Sequence, residues 1–282
     1  MQIGIFAKTF TRPNVEDVFY AIHSEGLTQT QFNMSCAGLA SMPDTISPDL
    51  SDRIKAAAVK NGVAITAVSG TFNMIHPDFK ERLIGLKRLD ELAKACSRMG
   101  TSVITLCTGS RNETSMWKKH PDNNSPDAWN DLCVSMAAAL RIAQDRGITL
   151  AIEPEVSNVI DSAIKARRFL DEMKSQNLKI IMDGANLFHS GEAKNMTAIL
   201  NNAFELLAGD IVIAHAKDLA NDGDNPEFVA AGKGMLDYKT YLKLLKECNY
   251  QGSLILHGLS EAQVPESVGF IRKQLEQLEV EG

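Results

Sequence analysis

The chain's 282 residues are 44% hydrophobic and 23% charged, the balance of a globular protein that buries a large core without covalent staples, which argues against a disordered or membrane protein. A net charge of -6 with no run of Lys or Arg argues against nucleic acid as a partner, and no stretch approaches the ~18 apolar residues of a membrane helix. Five scattered cysteines without a C-x-x-C pair argue against a disulfide framework or thiolate zinc knuckle and fit a reducing, cytoplasmic setting.

The amino terminus, MQIGIFAKTF, lacks a basic leader and reads as a first strand. Short apolar runs then alternate with longer stretches of helical period, the pattern of repeated βα units. The predicted strands are IGIF at 3–6, TQTQF at 28–32, AITAV at 64–68, SVITLC at 102–107, TLAIE at 149–153, KIIMD at 179–183, IVIAH at 211–215 and SLILH at 253–257. Between them, amphipathic stretches such as Phe79 to Met99 and Trp129 to Arg146 read as outer helices. Ser47 before Pro48 and Ser125 before Pro126 supply capping hydroxyls and first-turn prolines. Gly62, Gly100 and Gly147 stand where helices end.

Eight such units over 282 residues predict a single-domain (β/α)8 TIM barrel spanning 1–282, at about 35 residues per unit. No G-x-G-x-x-G follows the first strand, which disfavours a doubly wound open sheet. The connections at 108–124 and 218–235 are the longest. Both follow strands, on the face where barrel active sites lie, so they are candidate substrate covers.

Four strands of the second half end on Glu153, Asp183, His215 and His257, separated by 30, 32 and 42 residues, so each lies one unit after the last. A parallel barrel brings such endings to one rim. Taken alone, His257 in LILHGLSE reads as a capping or core histidine. Two carboxylates and two imidazoles together suit one divalent cation such as Mn, Zn, Co or Mg, which also compensates ionisable groups on a half-buried rim.

EPEVSN at 153–158, MDGAN at 182–186, HAKD at 215–218 and GKGMLDY at 232–238 resemble the successive strand-end motifs of the sugar phosphate isomerase/epimerase family. That family belongs to the xylose isomerase-like TIM barrels, which also include AP endonucleases and inosose dehydratases. The resemblance implies metal ligation by Glu153, Asp183, His215 and the residue at 257. Two positions depart from the family pattern. A substrate-binding His is replaced by Asn186, and the final Glu is replaced by His257. The implied chemistry is isomerisation or epimerisation of a small sugar, sugar phosphate or polyol-derived ketone. Glu153 removes a proton beside a polarised carbonyl, through an enediolate.

In this reading His257 is either the fourth ligand or the group that returns the proton, with Glu155 or Glu261 moving the proton in the former case. Lys217 points toward the mouth, where its ammonium can hold a phosphate, a carboxylate or a developing enolate oxygen. Asp218 serves to fix Lys217 or its loop. Glu155, Asn186, Asn73 and Arg111 are candidate substrate contacts, joined by the polar strand endings at Asn33, Ser69, Thr71 and 108–112. His76 is a secondary metal candidate, and Trp117 and Phe72 are candidate walls for a sugar ring. An inosose-type dehydratase and an AP endonuclease-like hydrolase remain alternatives, as does a non-catalytic carbohydrate-binding barrel. A homodimer is compatible with such a barrel.

Overall fold

The alternation of short apolar runs and amphipathic stretches produces the expected units in the computed structural model, which describes residues 1–221, 223 and 227–280. Residues 222 and 224–226 of the predicted 218–235 loop lie outside the described residues, as do 281 and 282. Parallel strands β1 (Gln2–Phe6), β2 (Gln29–Phe32), β3 (Ala64–Ser69), β4 (Val103–Leu106), β5 (Thr149–Ile152), β6 (Leu178–Asp183), β7 (Ile211–Ala216) and β10 (Ser253–Leu256) close into a barrel in the order β1-β10-β7-β6-β5-β4-β3-β2. Inside the long connection after β7, strands β8 (Asp218–Asn221) and β9 (Glu227–Val229) pair as an antiparallel ribbon that the sequence pattern does not predict.

The helices wrap this barrel as α1 (Val15–Ser24), α2 (Pro48–Lys60), α3 (Phe79–Met99), α4 (Pro126–Arg146), α5 (Ala163–Met173), α6 (Met196–Leu207), α7 (Tyr238–Glu247) and α8 (Val264–Val280). The Ser47 and Ser125 side chains accept from Leu50 N at 3.2 Å and Ala128 N at 3.1 Å, so both predicted caps start their helices. Among the described residues, no helix is long and apolar enough to cross a membrane.

Most of the core lies between strands and helices. A second, smaller cluster of Ala67, Ala151, Ile181, Ile213 and Ile255 fills the barrel interior. Side chains alternate across a strand, so the residue two places after each of these also points inward. Those residues are Ser69, Glu153, Asp183, His215 and His257. The apolar plug therefore sets the height of the polar layer above it. Strands β5 and β10 end one residue short of the prediction, yet Glu153 N still reaches Leu106 O at 3.2 Å and His257 N reaches Ala216 O at 3.4 Å. Both residues are thus held at the strand ends.

Candidate metal centre

Glu153, His215 and His257 line the floor of a cleft of about 990 Å³ that opens at the carboxyl ends of the strands, and Asp183 lies buried against them. One donor atom from each lies within 4.8 Å of the others, and these are the four residues in which spacing predicts a cation site. Asp183 occupies the centre, its side chain only 1% exposed. Its Oδ2 lies 2.9 Å from His257 Nε2, 3.7 Å from His215 Nδ1 and 3.4 Å from Lys217 Nζ. Its Oδ1 accepts from Ala185 N at 3.0 Å. Glu153 Oε1 lies 3.3 Å from His215 Nδ1 and accepts from Asn186 Nδ2 at 2.7 Å.

Burial alone would disfavour an ionised Asp183, but Lys217 and the two imidazoles hold its carboxyl well below the usual range. Burial likewise opposes a charged His215, yet the Glu153 and Asp183 carboxylates push it up to about 9. His257 goes the other way, lowered by burial and by the neighbouring His215, whose ring centroid is 4.4 Å away. Three nitrogen atoms, from Lys217, His215 and His257, thus face the single oxygen Asp183 Oδ2. The donor set suits a divalent ion that takes nitrogen and oxygen ligands, since Asp183 Oδ2, His215 Nδ1 and His257 Nε2 converge while Asp183 Oδ1 and His215 Nε2 are occupied by other partners.

Lys217 is buried beside this cluster. Its ammonium donates to Asn186 Oδ1 at 2.6 Å and stands 3.9 Å from the centroid of the Phe228 ring, contributed by β9. Its backbone carbonyl accepts from the Tyr238 hydroxyl at 2.9 Å. Asp218 faces away from the cluster and fixes the loop. Its carboxylate accepts from Leu219 N at 2.8 Å, Leu236 N at 2.9 Å and Gly232 N at 3.1 Å. A side chain at Gly234 would collide with that carboxylate and with the Leu219 carbonyl, which accounts for the glycine in GKG. From outside the barrel, the Tyr241 hydroxyl on α7 is shared between the carbonyls of Met182 at 2.8 Å and His215 at 3.0 Å.

Glu155 lines the cleft, accepts from Asn158 Nδ2 at 2.8 Å and has its carboxyl pushed up by burial. Asn33, Ser69, Thr71, Asn112 and Trp117 line the cleft as well.

Other expected contacts are placed elsewhere. Arg111 pairs with Asp131 at 2.7 Å, donates to Ile75 O at 3.0 Å and faces a separate surface depression. Asn73 spends its amide on Ser110 O at 2.7 Å and Ser110 N at 3.1 Å, holding the 108–124 loop instead of a substrate. His76 accepts from Asp78 N at 3.1 Å before α3, away from the four donors. Phe72 packs over Gly85, and Glu261 forms a two-pronged pair with Arg12 at 2.5 and 2.9 Å, so neither reaches the cluster.

Gln31, Thr105, His189 and Phe228 also line the cleft and are absent from the sequence-derived set. For Gln31 and Thr105 the signal was present. A polar residue at an inward position of a barrel strand has only the interior to serve.

Residues 19–274 match the family described as "Xylose isomerase-like TIM barrel". The chain belongs to this family. Among relatives, the xylose isomerase-like barrel is 25% identical over 228 residues to the 3-dehydro-D-guloside 4-epimerase of Escherichia coli (strain K12), covering 76% of this chain and 79% of that protein. Among solved structures, the apo 3-keto-D-glucoside 4-epimerase from E. coli aligns with a TM-score of 0.74 at 20% identity, covering 97% of this chain and 99% of that one. A D-tagatose 3-epimerase-like protein aligns with a TM-score of 0.79 at 16% identity, covering 100% and 99%. At these identities the structural likeness is one of fold.

Proposed function

We propose that this protein is a divalent-metal-dependent epimerase or isomerase that moves a proton on the carbon beside a carbonyl of a small carbohydrate. The observation that carries this is the convergence of Glu153, Asp183, His215 and His257 beneath the cleft, with the Lys217 ammonium against Asp183. A bound cation would supply Lewis acidity to adjacent substrate oxygens and so acidify the neighbouring C–H. Glu153 is the base, its carboxylate oriented by the Asn186 amide. Lys217 is held by Asn186 and Phe228 where it can stabilise negative charge developing on the substrate oxygen.

The convergence of His257 with the other three donors, its Nε2 2.9 Å from Asp183 Oδ2, supports the ligand role for this ring, and a nitrogen that ligates has no free lone pair for proton transfer. The proton's return then falls to another group. Glu155 is the carboxyl positioned for it in the cleft wall, whereas Glu261 is engaged by Arg12. The E. coli relative's name, a 3-dehydro-D-guloside 4-epimerase, supports a keto-sugar as substrate class. One four-donor cluster among the described residues favours one cation, where the hydrolytic alternative needs several. A cytoplasmic location fits the unpaired thiols.

The test is solvent-deuterium exchange followed by NMR on chelator-stripped protein, with ketoses, inososes and 3-keto-glycosides offered as substrates and Mn, Co, Zn or Mg restored in turn. Deuterium should enter the carbon beside the carbonyl only when metal is present, and Glu153→Gln should abolish the exchange. No exchange with any of these substrates and metals would defeat the reading, and net loss of water would move it to the dehydratase alternative.

The second imidazole also makes a prediction about metal choice. Two nitrogens and two carboxylates favour Zn and Co, whereas three carboxylates and one imidazole favour Mn and Mg. His257→Glu should therefore raise the ratio of Mn to Zn affinity several-fold in competition titrations, and an unchanged ratio would remove His257 from the coordination sphere.

A further inference from the structure

Gln31 lies on β2, separated from β7 by β1 and β10 around the barrel, yet it touches the candidate ligand His215 directly. It is buried, with Oε1 at 2.9 Å from His215 Nε2 and its amide nitrogen donating to Thr105 Oγ1 at 3.2 Å. An imidazole can offer a metal only the nitrogen that carries no proton, so its second-nitrogen partner selects the tautomer. At His215, Nδ1 faces Glu153 and Asp183 while Nε2 faces Gln31. Turned the other way, the Gln31 amide would donate to Nε2 and drive the proton onto Nδ1, toward the two carboxylates. The amide orientation therefore separates a ring that ligates from one that merely pairs with acids. Thr105, which receives the amide N–H, anchors the side chain beside His215.

From this geometry we infer that Gln31 is a positioning residue for the cation, keeping the proton of His215 on Nε2 so that the Nδ1 lone pair faces the donor cluster, with Thr105 anchoring the Gln31 side chain. The inference rests on the metal reading above and concerns a residue outside the four ligands. Gln31→Met keeps the length of the side chain and removes the acceptor. Gln31→Glu keeps an acceptor and no donor, which can serve only the Nε2–H tautomer.

The experiment is zinc binding to the metal-stripped protein by competition with a chromophoric chelator. It is paired with the ¹⁵N chemical shifts of the His215 ring in the zinc-loaded protein and thermal unfolding of each metal-free variant. Gln31→Met should weaken zinc binding about 10- to 100-fold, Gln31→Glu should stay near wild type, and the wild-type shifts should report a protonated Nε2. Wild-type affinity in Gln31→Met, equal losses in the Met and Glu variants, or a protonated Nδ1 would each overturn the inference while leaving the metal reading intact. If Gln31→Met does not fold, Thr105→Val takes its place, removing the amide's anchor, and zinc affinity identical to wild type would likewise overturn it. A wild-type chain that binds no zinc, cobalt or manganese would defeat the metal reading and this inference with it.

Discussion

Asp183→Ala is expected to abolish metal binding and to destabilise the metal-free protein by ~3–5 kcal/mol, the cost of stripping a buried charge of its counter-charges. Asp183 is nearly inaccessible, and Lys217, His215 and His257 all direct nitrogen atoms at the same carboxylate oxygen. Removing it takes from the buried Lys217 ammonium its paired carboxylate, leaving Asn186 Oδ1 and the Phe228 ring in contact with it, and orphans Ala185 N. Asp183→Asn retains the volume and the acceptor for Ala185 but carries no charge, so it should lose the metal and part of the stability. Urea unfolding in chelator measures the stability, and metal titration measures the affinity. Wild-type values in both for the alanine variant would mean that the cluster is neither a metal site nor electrostatically organised.

Lys217→Met is expected to lower kcat by about 10²–10³, the usual effect of deleting one preorganised donor from a developing oxyanion, while leaving metal affinity within a few-fold of wild type. Its four-carbon stem already packs among buried residues, and methionine fills most of that space. Asp183 would keep both imidazoles and Ala185 N, so the coordinating geometry should survive. Lys217→Arg should not restore activity, because a planar guanidinium does not fit where a compact ammonium sits between Asn186 and Phe228. Paired measurement of kcat and zinc affinity decides the matter. An equal fall in both would show that Lys217 acts through the metal site, and no fall in kcat would remove it from the chemistry.

The barrel was legible because hydrophobic period distinguishes strands from helices and because the repeat length matches one βα unit. The four donors were legible for a related reason. Ala151, Ile181, Ile213 and Ile255 are inward-facing strand residues, and the side chain two places later must share their direction. Loop side chains obey no such period. Arg111 turns away from the cleft because Asp131 on α4 captures it, a partner set by tertiary packing that local sequence does not disclose. Asn73 serves Ser110, 37 residues away, for the same reason.

The β8–β9 ribbon escaped prediction because two strands of four and three residues are too short to show a period. Gln31 was overlooked on a different ground. TQTQF opens with four consecutive polar residues, so its own pattern marks no inward face, whereas the closed barrel turns Gln31 to the buried interior.

Tyr241 gives the outer shell a hold on the coordination geometry. Its hydroxyl shares one proton between the backbone carbonyls of Met182 and His215, the residue preceding one proposed ligand and another proposed ligand itself. Burial keeps the phenol neutral, so the donor is permanent. The spacing between the proposed carboxylate ligand on β6 and the proposed imidazole ligand on β7 is thus gauged from the far side of the barrel wall by a helix outside the cleft lining. Sequence drift in the packing beneath α7 would shift the proposed centre without altering any of its four candidate ligands.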